Sequence, residues 1–215
     1  MAGATVHIVD DDQAVRKSLK LLINSAGLRA EEYEGGRDFL ERYEPRKPEC
    51  LLLDLRMPDI DGLAVQRRVR ERGIKIVTLF LSGHGDIPIA VRAIREGALD
   101  FVEKPFDKDH LLERVRVAIE IGERKEQARM EQQDARECLS VLTSRELQIV
   151  ELLVEGRINK VIASDLDIST RTVESHRARI MKKLAVNSLS DIFKLVFAAQ
   201  GTKEGSPGGA DADRP

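Results

Sequence analysis

The sequence predicts an α/β domain with a five-stranded parallel sheet wound on both faces by helices, followed by a small all-α helix-turn-helix domain. Three observations carry this. Five apolar segments of strand length alternate with five amphipathic helical segments across roughly the first 120 residues, the pattern of repeated βα units. Residues 121–141 then hold few large apolar side chains and alternate in charge sign, as a solvated connector does. Beyond them a short helical pattern, a three-residue turn and a longer basic helical pattern follow one another.

The first strand is the β-branched run Thr5–Val9, which ends in Asp10-Asp11-Asp12. A helix follows from Gln13 to Ala26, with Val15, Leu19, Leu22 and Ile23 at helical spacing and Gly27 as its stop. Leu28–Tyr33 is a weaker strand, and Gly35-Gly36 opens a helix over Arg37–Tyr43. Pro45 and Pro48 break the chain before an apolar strand from Cys50 that ends on Asp54. Helix Leu63–Arg72 stops at Gly73, strand Ile74–Leu81 leads into Ser82-Gly83-His84-Gly85, and helix Pro88–Glu96 stops at Gly97. Strand Leu99–Val102 runs into Glu103-Lys104-Pro105-Phe106, and Asp107 starts a helix through Leu111, Leu112, Val115 and Ile119 that the connector can extend.

With 215 residues, 33% of them charged, the chain can bury two cores and is not a disordered polyampholyte. Its two cysteines, Cys50 and Cys138, form no metal-ligand spacing, which argues against a zinc site or a disulfide framework. The N-terminus carries no basic, apolar leader and there is no apolar run of membrane-spanning length, so the chain reads as cytoplasmic.

In a parallel sheet every strand's carboxyl end reaches one edge, where open α/β folds bind their ligands. The residues delivered there are Asp10 and Asp11, Asp54, Ser82 and Lys104. Three clustered carboxylates need a cation to stay ionised together, and an oxygen-only set selects a hard ion, Mg²⁺ or Mn²⁺. Asp54 can then attack phosphorus to give an aspartyl phosphate, with Lys104 as a point charge and Ser82 as a hydroxyl donor for phosphoryl oxygens.

These residues, Val9-Asp10-Asp11, Asp54 with Met57-Pro58 and Asp61-Gly62, Ser82-Gly83 and Lys104-Pro105-Phe106, resemble the receiver domain of two-component response regulators over roughly 4–120. The resemblance implies a flavodoxin-like fold, phosphorylation of Asp54 by a sensor histidine kinase, and a metal held by Asp10, Asp11, Asp54 and the Arg56 main-chain carbonyl. It implies a cis bond before Pro105, and Ser82 and Phe101 turning inward on phosphorylation. Arg56 and His84 occupy positions that tune the lifetime of the phosphoryl group. Asp12 is read as the cap of the first helix.

In the second half, Thr143 and Glu146 have capping-box spacing at the start of a helix that reaches Glu155 and buries Leu147, Ile149, Val150, Leu152, Leu153 and Val154. Helix Lys160–Leu166, capped by Asn159, is joined through Asp167-Ile168-Ser169 to helix Thr170–Leu184, and a fourth helix covers Ser188–Phe197. Arg171, Arg177, Arg179, Lys182 and Lys183 against Glu174 leave the third helix at +4 in a chain of net −2. Val173, Ile180 and Leu184, with His176 beside them, form its buried stripe. Arg171, Glu174, Ser175, Ala178, Arg179 and Lys182 form the face for the DNA major groove, with Lys160 and Thr172 at phosphates.

This half resembles LuxR-type DNA-binding domains over 142–197, through Leu142-Thr143, Arg145-Glu146, Asn159-Lys160, Thr172-Val173-Glu174, His176 and Lys183-Leu184. Joined to a receiver, it is similar to the FixJ-like branch of the NarL/FixJ class. The implied protein is a phosphorylation-driven homodimer that binds promoter half-sites and is not an enzyme. The expected boundaries are 1–120 for the receiver, 121–141 for the linker, 142–199 for the DNA-binding domain and 200–215 for a disordered tail. A dehalogenase-like phosphatase would need an acid where Arg56 stands. A phosphorylation-independent DNA-binding regulator with the receiver as an interaction module is the alternative.

Overall fold

A computed structural model describes residues 3–83 and 87–201. Five strands, β1 (Thr5–Val9), β2 (Arg29–Tyr33), β3 (Glu49–Asp54), β4 (Val77–Ser82) and β5 (Asp100–Glu103), form one parallel sheet in the order β2-β1-β3-β4-β5. The intervening helices are α1 (Gln13–Ser25), α2 (Gly36–Arg42), α3 (Gly62–Glu71) and α4 (Ile87–Arg95). Alternation along the central strands splits the core into two layers. Val6, Ile8, Leu52 and Leu79 pack with α1 and the first part of α5, whereas Val9, Leu51, Leu53 and Phe80 pack with α2 and α3. The parallel order brings the ends of β1, β3, β4 and β5 to one edge.

The remaining helices are α5 (Lys108–Ser140), α6 (Ser144–Val154), α7 (Asn159–Asp165), α8 (Thr170–Leu184) and α9 (Leu189–Gln200). The chain divides into two compact units between Glu126 and Gln127, inside α5. The connector expected over 121–141 is helical to Ser140 and is shared between the units. Gly122 does not interrupt it. That residue passes the β3 entrance, where an added Cβ would stand 3.3 Å from the Glu49 carbonyl, so the missing side chain lets the helix run close to the sheet. In the second unit, Ala135 is buried and Arg136 Nε donates to the Ala199 carbonyl at 2.9 Å, tying α5 to the end of α9.

Three expectations need correcting. β4 begins at Val77, three residues after Ile74, because Gly73 turns the chain at φ 69°. Ile74 and Ile76 cover the core from a loop, so apolar continuity overstated the strand. Asn159 does not cap α7 but is its first residue, after Ile158; its side-chain oxygen accepts from Arg177 Nη1 at 2.5 Å instead. Helix α9 runs to Gln200, past the expected end at Phe197 and into the first residue of the expected tail; the rest of that tail after Gly201 lies outside the described residues, and so does His84.

Candidate functional site

Asp54 closes β3 with its side chain almost wholly buried. One carboxylate oxygen, Oδ1, accepts from Lys104 Nζ at 2.5 Å, and the other, Oδ2, from the Arg56 N–H at 2.8 Å. Lys104 also donates to Asp10 Oδ2 at 2.7 Å, so one ammonium bridges two acids from strands 44 residues apart in sequence. Burial drives the Asp54 carboxyl above its ordinary pKa, and Asp10 adds to this, more than Lys104 and the Arg56 N–H offset. Burial works against the Lys104 ammonium, yet its bonds to Asp10 and Asp54 win and raise its pKa. The bond between Lys104 and Pro105 is cis.

Ser82 is buried at the end of β4, and its carbonyl accepts from the Lys104 N–H at 2.7 Å, which sets these two strand ends side by side. Phe101 lies on β5 beside Phe80 of β4 and is 36% exposed. Asp11 lines an adjoining cleft of about 740 Å³ with Arg56, Met57, Asp61 and Arg92. Asp12 caps α1 by accepting from the Ala14 N–H at 2.7 Å. Among the described residues no three acids, histidines or cysteines stand together as a ready ligand set. Lys104 fills the role of counter-cation between Asp10 and Asp54. The donor chemistry still fits a hard divalent ion: oxygen-only, with one acid raised for want of positive charge.

In the second unit the capping box is complete: Thr143 N–H donates to Glu146 Oε2 at 2.8 Å, and Glu146 N–H donates to Thr143 Oγ1 at 3.3 Å. Lys183 Nζ joins that carboxylate at 2.7 Å and, with the Thr143 N–H, pulls the Glu146 pKa down to about 2. The turn between α7 and α8 is held by Arg145, which donates to the Leu166 carbonyl at 2.5 Å, and contains Asp167 at φ 52°. Ser169 caps α8, accepting from the Thr172 N–H at 3.0 Å, and its hydroxyl pairs with that of Thr172. Val173, Ile180 and Leu184 are buried, whereas Arg171, Glu174, Ser175, Ala178, Arg179, Lys182 and Lys160 are exposed. Arg177 is tied to Asn159, and Lys183, though exposed, is paired with Glu146, so the unpaired outward charge of α8 rests on fewer cations than its sequence count.

Residues 6–116 match the family described as response regulator receiver domain, and residues 140–196 match bacterial regulatory proteins of the luxR family. The chain is a response regulator. It is 41% identical to the transcriptional regulatory protein FixJ of Azorhizobium caulinodans over 90% of this chain and 92% of that one. It is also 40% identical to the response regulator protein TmoT of Ectopseudomonas mendocina, over 89% and 87% of the two chains. Among solved structures it resembles the low-resolution structure of the response regulator StyR, with a TM-score of 0.78 and 39% identity over 91% of this chain and 98% of that one. The receiver and LuxR-type architecture places it in the NarL/FixJ class of transcription regulators.

This response regulator also uses residues that sequence reasoning passed over. Arg16 of α1 is buried and its Nη1 donates to the carbonyls of Asp10 and Asp11 at 2.8 and 2.9 Å, shaping the acidic turn from behind. A signal existed: Arg16 falls in phase with Leu19 and Ile23, the buried stripe of its helix, where a charge needs a partner. Asp59, in the loop after Asp54, accepts from the Arg37 N–H of α2 at 2.8 Å.

Proposed function

We propose that this response regulator is switched by transfer of a phosphoryl group from a sensor histidine kinase to Asp54. An Asp54 oxygen attacks phosphorus, the bond from phosphorus to the kinase's phosphohistidine nitrogen breaks, and that nitrogen leaves with the electron pair. The Arg56 N–H orients the carboxylate, and the Lys104 ammonium is already at the place where phosphoryl charge accumulates. A Mg²⁺ or Mn²⁺ ion, held by Asp10, Asp11, Asp54 and the Arg56 main-chain carbonyl, supplies the remaining neutralisation when bound. Ser82 donates its hydroxyl to a phosphoryl oxygen, and Phe101 turns inward behind it.

The phosphoryl group's roughly two negative charges, in place of the single charge of the carboxylate, then favour a homodimer, whose α8 helices enter the major groove of promoter half-sites about one helical turn apart. Arg171, Glu174, Ser175, Ala178, Arg179 and Lys182 meet bases and their flanks, with Lys160 and Thr172 at phosphates. The protein acts in the cytoplasm as a regulator, turning over no released substrate of its own.

The observation that carries this reading is the Lys104 bridge between Asp10 and Asp54. It is tested by treating wild type and Asp54→Asn with acetyl phosphate and Mg²⁺ and measuring dimerisation and DNA binding. Wild type responds and the variant does not; equal dimerisation and binding in both, with or without the donor, would discard the switch.

A further inference from the structure

The loop between β3 and α3 leaves Asp54 and returns at Gly62, where the Gly62 N–H donates to the Leu55 carbonyl at 3.0 Å. Gly62 is pressed beneath the strand: an added Cβ would overlap the Asp54 carbonyl and come within 2.9 Å of Phe80. Midway along, Asp59 reaches out of its own segment. Its Oδ2 accepts at 2.8 Å from the N–H of Arg37, 22 residues earlier, in the first turn of α2. That helix starts after Gly35 with no side-chain cap of its own. An acid from the phosphoacceptor loop therefore satisfies N–H groups that a local Ser or Asp would ordinarily take.

Two glycines make the docking possible. A Cβ on Gly35 would stand 3.0 Å from Asp59 Oδ2, and one on Gly36 would overlap Val65 and come within 2.6 Å of Ile60. Burial raises the Asp59 carboxyl, but the N–H groups of Arg37, Ile60 and Gly36 outweigh it and hold the group below the usual carboxylate range.

We infer that Asp59 is a positioning residue for phosphorylation: by anchoring the loop on the α2 N-terminus, it fixes the segment that carries the Arg56 main chain over Asp54. The inference rests on Asp54 being the phosphoacceptor. Arg56 is three residues from Asp59, and its N–H already holds Asp54 Oδ2. A shift of this segment moves that donor and the adjoining carbonyl together.

The rival role, a plain cap for α2, is separated by supplying the cap from elsewhere. Gly35 has φ 172°, an extended backbone open to any residue, so Gly35→Ser gives α2 a local cap once Asp59 is gone. Full-length wild type, Asp59→Ala, Asp59→Asn and the double variant Gly35→Ser with Asp59→Ala are compared. The readouts are Mn²⁺ affinity of the unphosphorylated protein, phosphorylation rate with acetyl phosphate, and the urea midpoint.

Asp59→Ala lowers Mn²⁺ affinity and rate by about tenfold, as loss of an outer support for a metal site does. Asp59→Asn, which keeps an acceptor oxygen, recovers most of both. The double variant recovers the urea midpoint but neither affinity nor rate. Should Asp59→Ala alone fold too poorly to assay, the double variant, whose α2 cap is restored, carries the same comparison of affinity and rate against wild type. Wild-type affinity and rate in Asp59→Ala, or their recovery in the double variant together with stability, overturns the inference. A wild type that acetyl phosphate leaves unphosphorylated overturns the reading of Asp54 instead.

Discussion

Strand β3 begins and ends on a buried carboxylate, and the two acids are tuned in opposite directions. Glu49 accepts from the Arg46 N–H at 2.7 Å and the Tyr43 hydroxyl at 2.7 Å, and pairs with His7 Nε2 at 3.2 Å. Burial raises its carboxyl, but His7, Arg46 and Tyr43 together bring it below the usual range. His7 is itself enclosed by aromatic rings, Tyr43 at 5.2 Å and Tyr33 at 5.8 Å. Asp54 is buried to a similar degree but is pushed upward, because the donors beside it do not match its burial and the neighbouring Asp10. Saturation with donors makes Glu49 part of the framework. Undersatisfaction at the carboxyl edge of the same strand makes Asp54 a place where added positive charge is welcome, as the proposed phosphoryl transfer requires.

The largest expected effect breaks the framework acid. Glu49→Gln lowers stability by about 3 kcal/mol, the order expected when one member of a buried charged network is removed, and leaves the acetyl phosphate rate of the folded protein unchanged. Asp54→Asn does the reverse: phosphorylation is lost, and stability holds or rises by no more than about 1 kcal/mol, as at other strained functional positions. Urea unfolding of the pair checks both. His7→Phe costs about 1 kcal/mol by removing one bond each from Glu49 Oε2, which keeps the Arg46 N–H, and from the Tyr33 hydroxyl, which keeps Glu31.

The pH dependence sharpens the contrast. Glu49 has a depressed folded pKa, so its contribution is present above the unfolded carboxylate value and is lost as pH falls through the folded one. The stability gap between wild type and Glu49→Gln therefore narrows on acidification. Asp54 has a raised folded pKa, so its contribution is present at low pH and is lost as pH rises through that value. The gap between Asp54→Asn and wild type therefore widens in favour of the variant as pH rises. Parallel slopes in the two series would erase the distinction. The smallest effect belongs to the second unit: Lys183→Met, at a partly exposed pair, costs about 0.5 kcal/mol and moves the Glu146 titration, followed by NMR, up from about 2.

The meeting of strand ends was legible because each of Asp10, Asp54, Ser82 and Lys104 sits at a visible change from apolar run to turn, and parallel topology brings such changes to one edge. The exposed face of α8 was legible from helical phase alone. What escaped depends on approach between distant segments. Glu49 reads as a polar residue before a strand until His7 and Tyr43 surround it, and Asp59 reads as one more loop acid until Gly35 and Gly36 clear a place for it. The misassigned cap at Asn159 failed similarly, since its side chain answers to Arg177, 18 residues on.

The internal ties of Arg177 and Lys183 have a consequence for counterion release. With these two withdrawn, the exposed cations at the proposed DNA face are Lys160, Arg171, Arg179 and Lys182. Each phosphate neutralised lowers the slope of log affinity against log salt by about 0.9, so the steepest slope these four can give one domain is roughly −3.6, against −5.4 for all six. The helix reserves part of its charge for holding its own domain together, and its grip on DNA of any sequence is correspondingly less steep in salt.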